Sequence, residues 1–405
     1  MASAFDTFRK LGPAAFVLKA VLSVIVIDFL LLAFILLRRT YRKRYFADRD
    51  ALIVALREQW DALISGEIPY ASWRRNTRER QLIEDMVLDA FEVANPGESA
   101  RLLKFMRASG LVEKRILEAR HHRGWRRHRA LVALARTRAP EGIRALAEGL
   151  RDRDPETRLA ALRGLGQMAC PEAAVEILNW VDDVGLVVPA LPLQSALVQT
   201  CAERPQVLLR HLEHADRSVS EVLARVLGEV ATPSLGPTLM RFADNEFPEL
   251  RAAAARGLLY TNHKTAVNVL EELAQDPVWF VRLRAIVSLA RICDSSTLPL
   301  LLRGVTDSNR LVRLRAAEGL IDFKTDLVSI FEKVVSLQDQ YGLHAFLTAL
   351  ENADAQASLL AGIKDDAHIS DDKKQILLEV LQLGKLTGGS RGAQEKVRAK
   401  AVSLL

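Results

Sequence analysis

The fifteen residues that begin at Asp152 read Asp152-Arg-Asp-Pro155-Glu-Thr-Arg158-Leu-Ala-Ala-Leu162-Arg-Gly-Leu165-Gly166. A short acceptor side chain followed by proline and an acid is typical of a helix start. The side chain can accept from free backbone N–H groups, and proline fits the first turn. Apolar residues then recur at three- and four-residue spacing, at Leu159, Leu162 and Leu165. This spacing predicts a helix with one buried stripe.

The same pattern returns every 31 residues, without insertion, from about His121 to about Leu337, which is seven units. A fixed period in this range predicts a solenoid, because each unit cannot bury its apolar face alone and must stack on its neighbours. Three columns of equivalent positions are Asp152, Asp183, His214, Asn245, Asp276, Asp307; Arg127, Arg158, Pro189, Ser220, Arg251, Arg282, Arg313; and Leu134, Leu165, Ala196, Leu227, Leu258, Leu289, Leu320.

Each unit reads as a helical hairpin. A second apolar-periodic segment follows a short break at Pro140, Pro171 or Pro233, and no strand-like alternation competes with it. Small residues on the buried stripe, such as Ala253 and Ala254, let a neighbouring helix approach closely. The sequence therefore predicts an all-α solenoid of helical hairpins.

The residues shared by 152–165 and 245–258 (Asp or Asn, Pro-Glu, Arg, Ala-Ala and Leu, in that order) resemble the HEAT repeat family. The 31-residue period resembles its lyase-type HEAT-like subclass. The resemblance implies a right-handed α-solenoid over about 120–340. It says almost nothing about function, because proteins with the same fold can have many different functions. The units at 183–213 and 214–244 depart most from the repeat pattern, with Pro189 and Ser220 in the arginine column. Two interpretations of this departure remain open: structural drift, or a bend of the solenoid or a partner site.

The aspartate and arginine columns resemble the Asp–Arg pairs that join HEAT repeats, so we expect them to stabilise the stack and not to catalyse a reaction. The residues of this structural ladder are Asp152, Arg158, Arg251, Asp276, Arg282, Asp307 and Arg313.

A stretch of 24 residues near the N-terminus, 14–37, has only two charged members, Lys19 and Asp28. About 20 apolar residues span a bilayer as a helix, so this stretch predicts one transmembrane helix. Basic residues cluster directly after it, at Arg38, Arg39, Arg42, Lys43 and Arg44. Because lysine and arginine accumulate on the cytoplasmic side, we expect the C-terminal part in the cytoplasm of a bacterial cell and these five residues against anionic lipid.

Asp28 stands near the middle of the predicted span. A carboxylate inside a membrane is costly and marks a functional site by default. Two interpretations remain open: Asp28 contacts a partner's membrane helix or a second copy of itself, or a single-span anchor tolerates one acid through local water.

The segment Arg120–Arg129 holds five arginines, three histidines and one tryptophan in ten residues. It predicts an anion or lipid contact through Arg120, Arg123, Arg126 and Arg129, with solvation of a helix as the alternative. Residues 1–130 carry 24 basic and 15 acidic side chains, so the net charge of +6 belongs to the part beside the membrane. We therefore do not expect nucleic-acid binding.

No catalytic, cofactor-binding or metal-binding set is predicted. His211-x-x-His214 is the one close histidine pair within the repeats, and three cysteines suggest no disulfide framework. Deoxyhypusine hydroxylases, which have similar hairpins, carry paired His-Glu steps that bind iron, and this sequence lacks those steps. Phycobilin lyase subunits share the repeat, but no motif here specifies bilin chemistry.

The predicted organisation is an N-terminal tail (1–13), the span (14–37), a basic juxtamembrane helical region and cap (38–120), the repeats (121–337), and a degenerate repeat with cap helices (338–405). We expect a single-pass inner-membrane scaffold or adaptor, not an enzyme, that recruits partner proteins, with envelope or exopolysaccharide assembly or its signalling as the pathway suggested by location. The alternatives are a lyase-type enzyme subunit and a lipid-surface sensor acting through Arg120–Arg129.

Overall fold

The computed structural model describes residues 12–68, 77–212, 214–261, 263–323, 327–366 and 369–386. Every regular element within these ranges is a helix, as the apolar spacing predicts. The chain divides into two compact units, Met1–Lys114 and Arg115–Leu405. The predicted boundary between cap and repeats, after residue 120, stays a prediction. The N-terminal tail up to residue 11 and the basic C-terminal segment after residue 386 lie outside the described residues.

The first unit starts with one long helix, because the predicted span continues without a break into the basic segment. Gly66, with φ 86°, ends the second helix in a left-handed conformation that glycine adopts without strain. The side chains of Leu63, Ile83, Phe105 and Met106 form a buried core. The helices are α1 (Gly12–Glu58), α2 (Trp60–Ser65), α3 (Thr77–Val93) and α4 (Pro96–Ala108).

The second unit is a stack of hairpins that begins within α5 (Leu111–His121). We call the helix that opens each hairpin its first helix and the other its second helix. The first helices are α6 (Trp125–Thr137), α8 (Pro155–Met168), α10 (Ala190–Cys201), α12 (Arg217–Glu229), α14 (Pro248–Gly257), α16 (Trp279–Ile292), α18 (Arg310–Ile321) and α20 (Gln340–Asn352). The second helices are α7 (Ile143–Gly149), α9 (Pro171–Val184), α11 (Val207–Leu212), α13 (Gly236–Ala243), α15 (His263–Leu273), α17 (Leu298–Gly304), α19 (Leu327–Ser336) and α21 (Gln356–Asp365); α22 (Asp371–Leu386) follows.

Each first helix packs closely on the first helices before and after it, whereas contacts between second helices are sparser. Small residues permit this approach: a Cβ added at Gly166 would lie 2.9 Å from the Cα of Ala196 on the next first helix. A buried hydrogen bond adds to the packing where Ser288 Oγ donates to the carbonyl oxygen of Ala255 at 2.7 Å. The stack continues through α20 and α21, which lie in the segment predicted to hold a degenerate repeat and cap helices.

The turn inside several hairpins uses a left-handed residue that is not glycine. Arg138, Ala169 and Cys293 each have φ 49° and occupy the same position of the 31-residue repeat. This conformation costs roughly 1–2 kcal/mol for a residue with a Cβ. Packing of the two helices against each other offsets that cost.

Arginines of the ladder join consecutive first helices. Arg251 donates through Nε and Nη2 to Asp276, at 2.6 and 3.0 Å, and Arg282 donates in the same two-pronged way to Asp307, at 2.7 and 2.9 Å. Arg127 donates to Asp152 through Nη1 alone, at 2.6 Å. The fork of a guanidinium matches the two oxygens of a carboxylate, so these bonds fix geometry as well as adding energy.

The same side chains also hold the loop before each first helix. Arg282 Nη1 donates to the carbonyl oxygen of Asp276 at 2.8 Å, and Arg313 does so to that of Asp307 at 2.7 Å. Asp307 in turn accepts from the backbone N–H of Asn309 at 2.7 Å. Burial alone would raise the pKa of the Asp307 carboxyl, but the bonds from Arg282 and Asn309 outweigh it and hold that pKa below its ordinary value.

The ladder is interrupted in the units that depart from the repeat pattern. Asp183 bonds Arg151 at 2.7 Å, whereas Arg158 bonds only the carbonyl oxygens of Asp152 and Arg153. Pro189 lies directly before α10 and has no side-chain donor to contribute. The continuous part of the ladder therefore runs from Arg251 to Arg313.

Replacing Arg282 with alanine removes both links to Asp307 and the bond to the preceding loop. Because the side chains of this pair are only 13% and 11% exposed, we expect the opening free energy of α16 and α18 to fall by about 1.5–3 kcal/mol. Amide hydrogen exchange of the full chain in detergent measures this opening free energy for α16 and α18.

Arg151→Ala is the matched control, because it removes an Arg–Asp pair whose side chains are 54% and 60% exposed. We expect a change within about 0.5 kcal/mol for this control. Equal effects of the two substitutions would contradict a structural role for the ladder.

Candidate functional site

The apolar part of α1 is unpacked in the described structure. Side chains from Val17 to Leu37 are exposed, and within the described residues α1 is the one helix long and apolar enough to cross a membrane. Asp28 is exposed in the middle of this part, and Ser23 Oγ donates to the carbonyl oxygen of Lys19 at 2.8 Å. The side chain of Asp28 is therefore accessible to contact from outside the chain.

The five basic residues after the apolar part lie on the same uninterrupted helix. Arg38, Arg39, Arg42, Lys43 and Arg44 are all exposed. Aromatic side chains accompany them, and the guanidinium of Arg42 lies 5.9 Å from the ring centre of Phe46. Basic and aromatic side chains together suit the zone where a membrane meets water.

The structure divides the basic segment Arg120–Arg129 into two groups. Arg127 belongs to the ladder, and Arg129 is half-buried. Arg120, Arg123 and Arg126 are exposed, with Arg120 Nε 3.3 Å from a carboxylate oxygen of Glu148.

Trp125, the first residue of α6, adds an apolar element to the exposed group. Its side chain is 68% exposed, and the guanidinium of Arg126 lies 5.8 Å from its ring centre. An exposed tryptophan beside arginines can enter a lipid headgroup layer, since its ring has an apolar body and a polar edge.

The histidine and cysteine candidates occupy separate environments. His211 is buried, and its Nδ1 lies 2.5 Å from a carboxylate oxygen of Asp182, whereas His214 is exposed. Cys201 is buried, and desolvation raises the pKa of its thiol to about 11. No group of three possible metal ligands occurs among the described residues; Glu213 lies outside them.

A row of arginines, which the sequence analysis missed, crosses the exposed side of four consecutive first helices. Arg225 lies on α12, Arg256 on α14, Arg284 on α16 and Arg315 on α18. Within this row Arg225 and Arg256 are 31 residues apart, as are Arg284 and Arg315. That spacing is visible in the sequence. It identifies a surface only once the structure shows which positions of each helix are exposed and which are buried.

Carboxylates pair with arginines of this row. Glu229 accepts from Arg256 Nη1 at 2.7 Å and from Gln194 Nε2 at 2.9 Å, which links three first helices. Glu318 accepts from Arg315 Nη1 at 2.5 Å. The exposed side of the first helices is therefore a mixed polar surface and not a uniformly positive one.

Comparison with known proteins identifies the repeat. HEAT repeats are found at residues 113–186 and 237–321. The stretch between them, 187–236, covers most of the two units with Pro189 and Ser220. The HEAT resemblance is confirmed over the matched ranges, while the lyase-type subclass stays a prediction. No curated protein matches the sequence.

Several solved structures of helical proteins match this chain at low identity. They include human deoxyhypusine hydroxylase in complex with glycerol (16% identity, covering 75% of this chain and 98% of that chain, TM-score 0.23). The CpcE–CpcF complex of phycocyanin lyase from Nostoc matches at 16% identity, with 73% and 94% covered and a TM-score of 0.27. A designed armadillo repeat protein matches at 14%, with 58% and 99% covered and a TM-score of 0.25. The chain carries HEAT repeats over the two matched ranges and stacked helical hairpins around them.

Proposed function

We propose that this protein is a membrane-anchored scaffold or adaptor whose HEAT repeats recruit a partner protein to the cytoplasmic face of the inner membrane. One observation carries the proposal: an exposed apolar helix with five basic residues at its end belongs to the same chain as a long stack of repeats. The apolar part suits a bilayer, and the basic part suits the cytoplasmic leaflet. The proposal assigns the protein no reaction of its own.

Tethering supplies the mechanism. A partner that binds the repeats is confined to a thin layer beside the membrane, so its effective concentration near other membrane proteins rises without any new contact. The ladder serves this role because it keeps the binding surface of consecutive repeats in one arrangement. Because of this location, we propose as partner a component or a regulator of the machinery for envelope or exopolysaccharide assembly.

Asp28 supplies a second contact for the adaptor, within the membrane. An ionisable group at that depth gains most from a polar or basic group on another membrane helix, or from a second protonated copy of itself. Its exposure on α1 is compatible with either partner.

Crosslinking and mild-detergent capture of the full chain from its own membranes, read by mass spectrometry, tests the proposal. We expect the wild-type chain to capture one specific membrane-associated partner and Asp28→Leu to lose or weaken it. Ser23→Leu, a polar-to-apolar change on the same exposed stretch, is the control and should keep the partner. Wild-type protein that captures no specific partner would contradict the adaptor function; a partner kept by Asp28→Leu would remove Asp28 from the contact.

A second candidate is lipid-surface binding through the exposed group at the start of α6. The exposed ring of Trp125 beside Arg123 and Arg126 favours it, since an interfacial aromatic and cations together bind anionic membranes. This contact would orient the repeats on the bilayer and is compatible with the adaptor role.

Hydrogen exchange of the full chain in nanodiscs tests the lipid contact. We expect the amides of residues 120–129 to be protected in anionic phosphatidylglycerol but not in phosphatidylcholine, with protection weakened by salt because exposed charges are screened. The Arg123→Glu, Arg126→Glu double variant should lose this protection. Equal protection in both lipids would contradict the contact.

A further inference from the structure

We propose that the exposed side of α12, α14, α16 and α18 binds an extended acidic segment of the partner protein, centred on Arg284. This inference rests on the proposed adaptor function and adds to it the surface and the chemistry of the partner. The site is the row of Arg225, Arg256, Arg284 and Arg315, with one guanidinium from each of four stacked helices.

Three arginines of the row already have a carboxylate. Arg225 Nη2 lies 3.8 Å from Glu221, Arg256 Nη1 lies 2.7 Å from Glu229, and Arg315 Nη1 lies 2.5 Å from Glu318. Arg284 has neither a hydrogen-bond partner nor an ion-pair partner among the described residues. Within the described residues the row therefore contains one guanidinium to which no carboxylate is hydrogen-bonded or ion-paired.

The surroundings of Arg284 make this imbalance costly. Partial burial among neighbouring side chains lowers the pKa of its guanidinium, and the positive charges of Arg256, Arg225 and Arg315 lower it further, against the opposite effect of Glu229. The group stays protonated, since an arginine pKa remains far above neutral pH. A carboxylate placed beside it would offset the lost hydration and form a charge-assisted hydrogen bond.

The spacing of the row fits an extended chain. Packed helices lie about 8–10 Å apart, and an extended chain advances about 3.3 Å per residue. Acidic residues at every third position of a peptide that crosses the helices would therefore be about 10 Å apart and could each reach one guanidinium. The match predicts an acidic residue at roughly every third position of the bound segment.

One exposed apolar side chain accompanies the row at its last helix. Leu311 is exposed in the first turn of α18. Leu311 lies four residues before Arg315, a spacing that places both on one face of a helix. The bound segment would accordingly carry apolar residues between its acidic ones.

The mixed charges of this surface favour a peptide over a continuous polyanion. Glu221, Glu229 and Glu318 each lie beside an arginine of the row and would repel the unbroken negative charge of a nucleic acid or an anionic bilayer. A peptide avoids that repulsion because its carboxylates can be spaced to meet the arginines alone. Matched spacing gives specificity as well as attraction.

Fluorescence anisotropy tests the site with two labelled peptides and the full chain in phosphatidylcholine nanodiscs. The first peptide contains four Glu-Ser-Leu repeats, and the second has glutamine in place of each glutamate. We expect the glutamate peptide to bind about tenfold more tightly than the glutamine peptide, and Arg284→Glu to abolish that difference.

Arg303→Glu is the matched control, because Arg303 is an exposed arginine on the second helix α17 and pairs with Glu271 at 3.8 Å. It makes the same charge change away from the row and should alter binding less than about twofold. Arg284→Gln, which introduces no new charge, should also weaken binding of the glutamate peptide. Unchanged thermal unfolding of each variant would show that a loss of binding is not a loss of fold.

Equal binding of the two peptides to the wild-type chain would overturn the proposal, as would equal effects of Arg284→Glu and Arg303→Glu. Capture from membranes separates this inference from the adaptor function. A partner that Arg284→Glu captures as well as the wild type does would overturn this site and leave the adaptor function standing. A partner lost by Arg284→Glu but kept by Arg303→Glu would support both.

Discussion

The bond between an arginine of one first helix and an aspartate 25 residues later sets the register of neighbouring hairpins. Each such arginine also holds the loop that precedes its own helix, and each aspartate accepts from the backbone two residues on. One pair therefore fixes the spacing of two units and the start of a helix at once. The exposed row of arginines depends on this register, because its members come from four different first helices. A small change of register between units would move the guanidiniums apart.

The repeat period, the hairpins and the helix starts could be predicted because they follow from local chemistry that the sequence repeats: Asp or Asn, then Pro and Glu, then an apolar stripe. The left-handed turns at Arg138, Ala169 and Cys293 could not, since no glycine marks them and packing between helices overrides the local preference. The partner of Asp183 was equally unpredictable. Arg151 and Arg158 precede it by 32 and 25 residues, and only the geometry of the divergent units selects Arg151.

Candidate sites whose residues are contiguous in the sequence could be predicted, whereas sites assembled from distant residues could not. The basic residues after the apolar stretch and the cluster around Trp125 are contiguous in sequence, so composition alone pointed to them. The row around Arg284 is assembled from residues far apart in sequence, and its single unpaired member emerges only when three neighbours are seen to have carboxylates. The two kinds of surface also differ in chemistry. The contiguous groups are almost purely cationic and suit lipid, whereas the assembled row contains charges of both signs and suits a peptide.

The account depends most on the repeats facing the cytoplasm, and a native thiol can report this. Cys293 is exposed on the second unit, whereas Cys201 is buried. A membrane-impermeant maleimide applied to spheroplasts, before and after lysis, measures which side of the membrane Cys293 occupies. The account predicts labelling only after lysis. Labelling of Cys293 in intact spheroplasts would place the repeats outside the cytoplasm and contradict the adaptor function proposed for them.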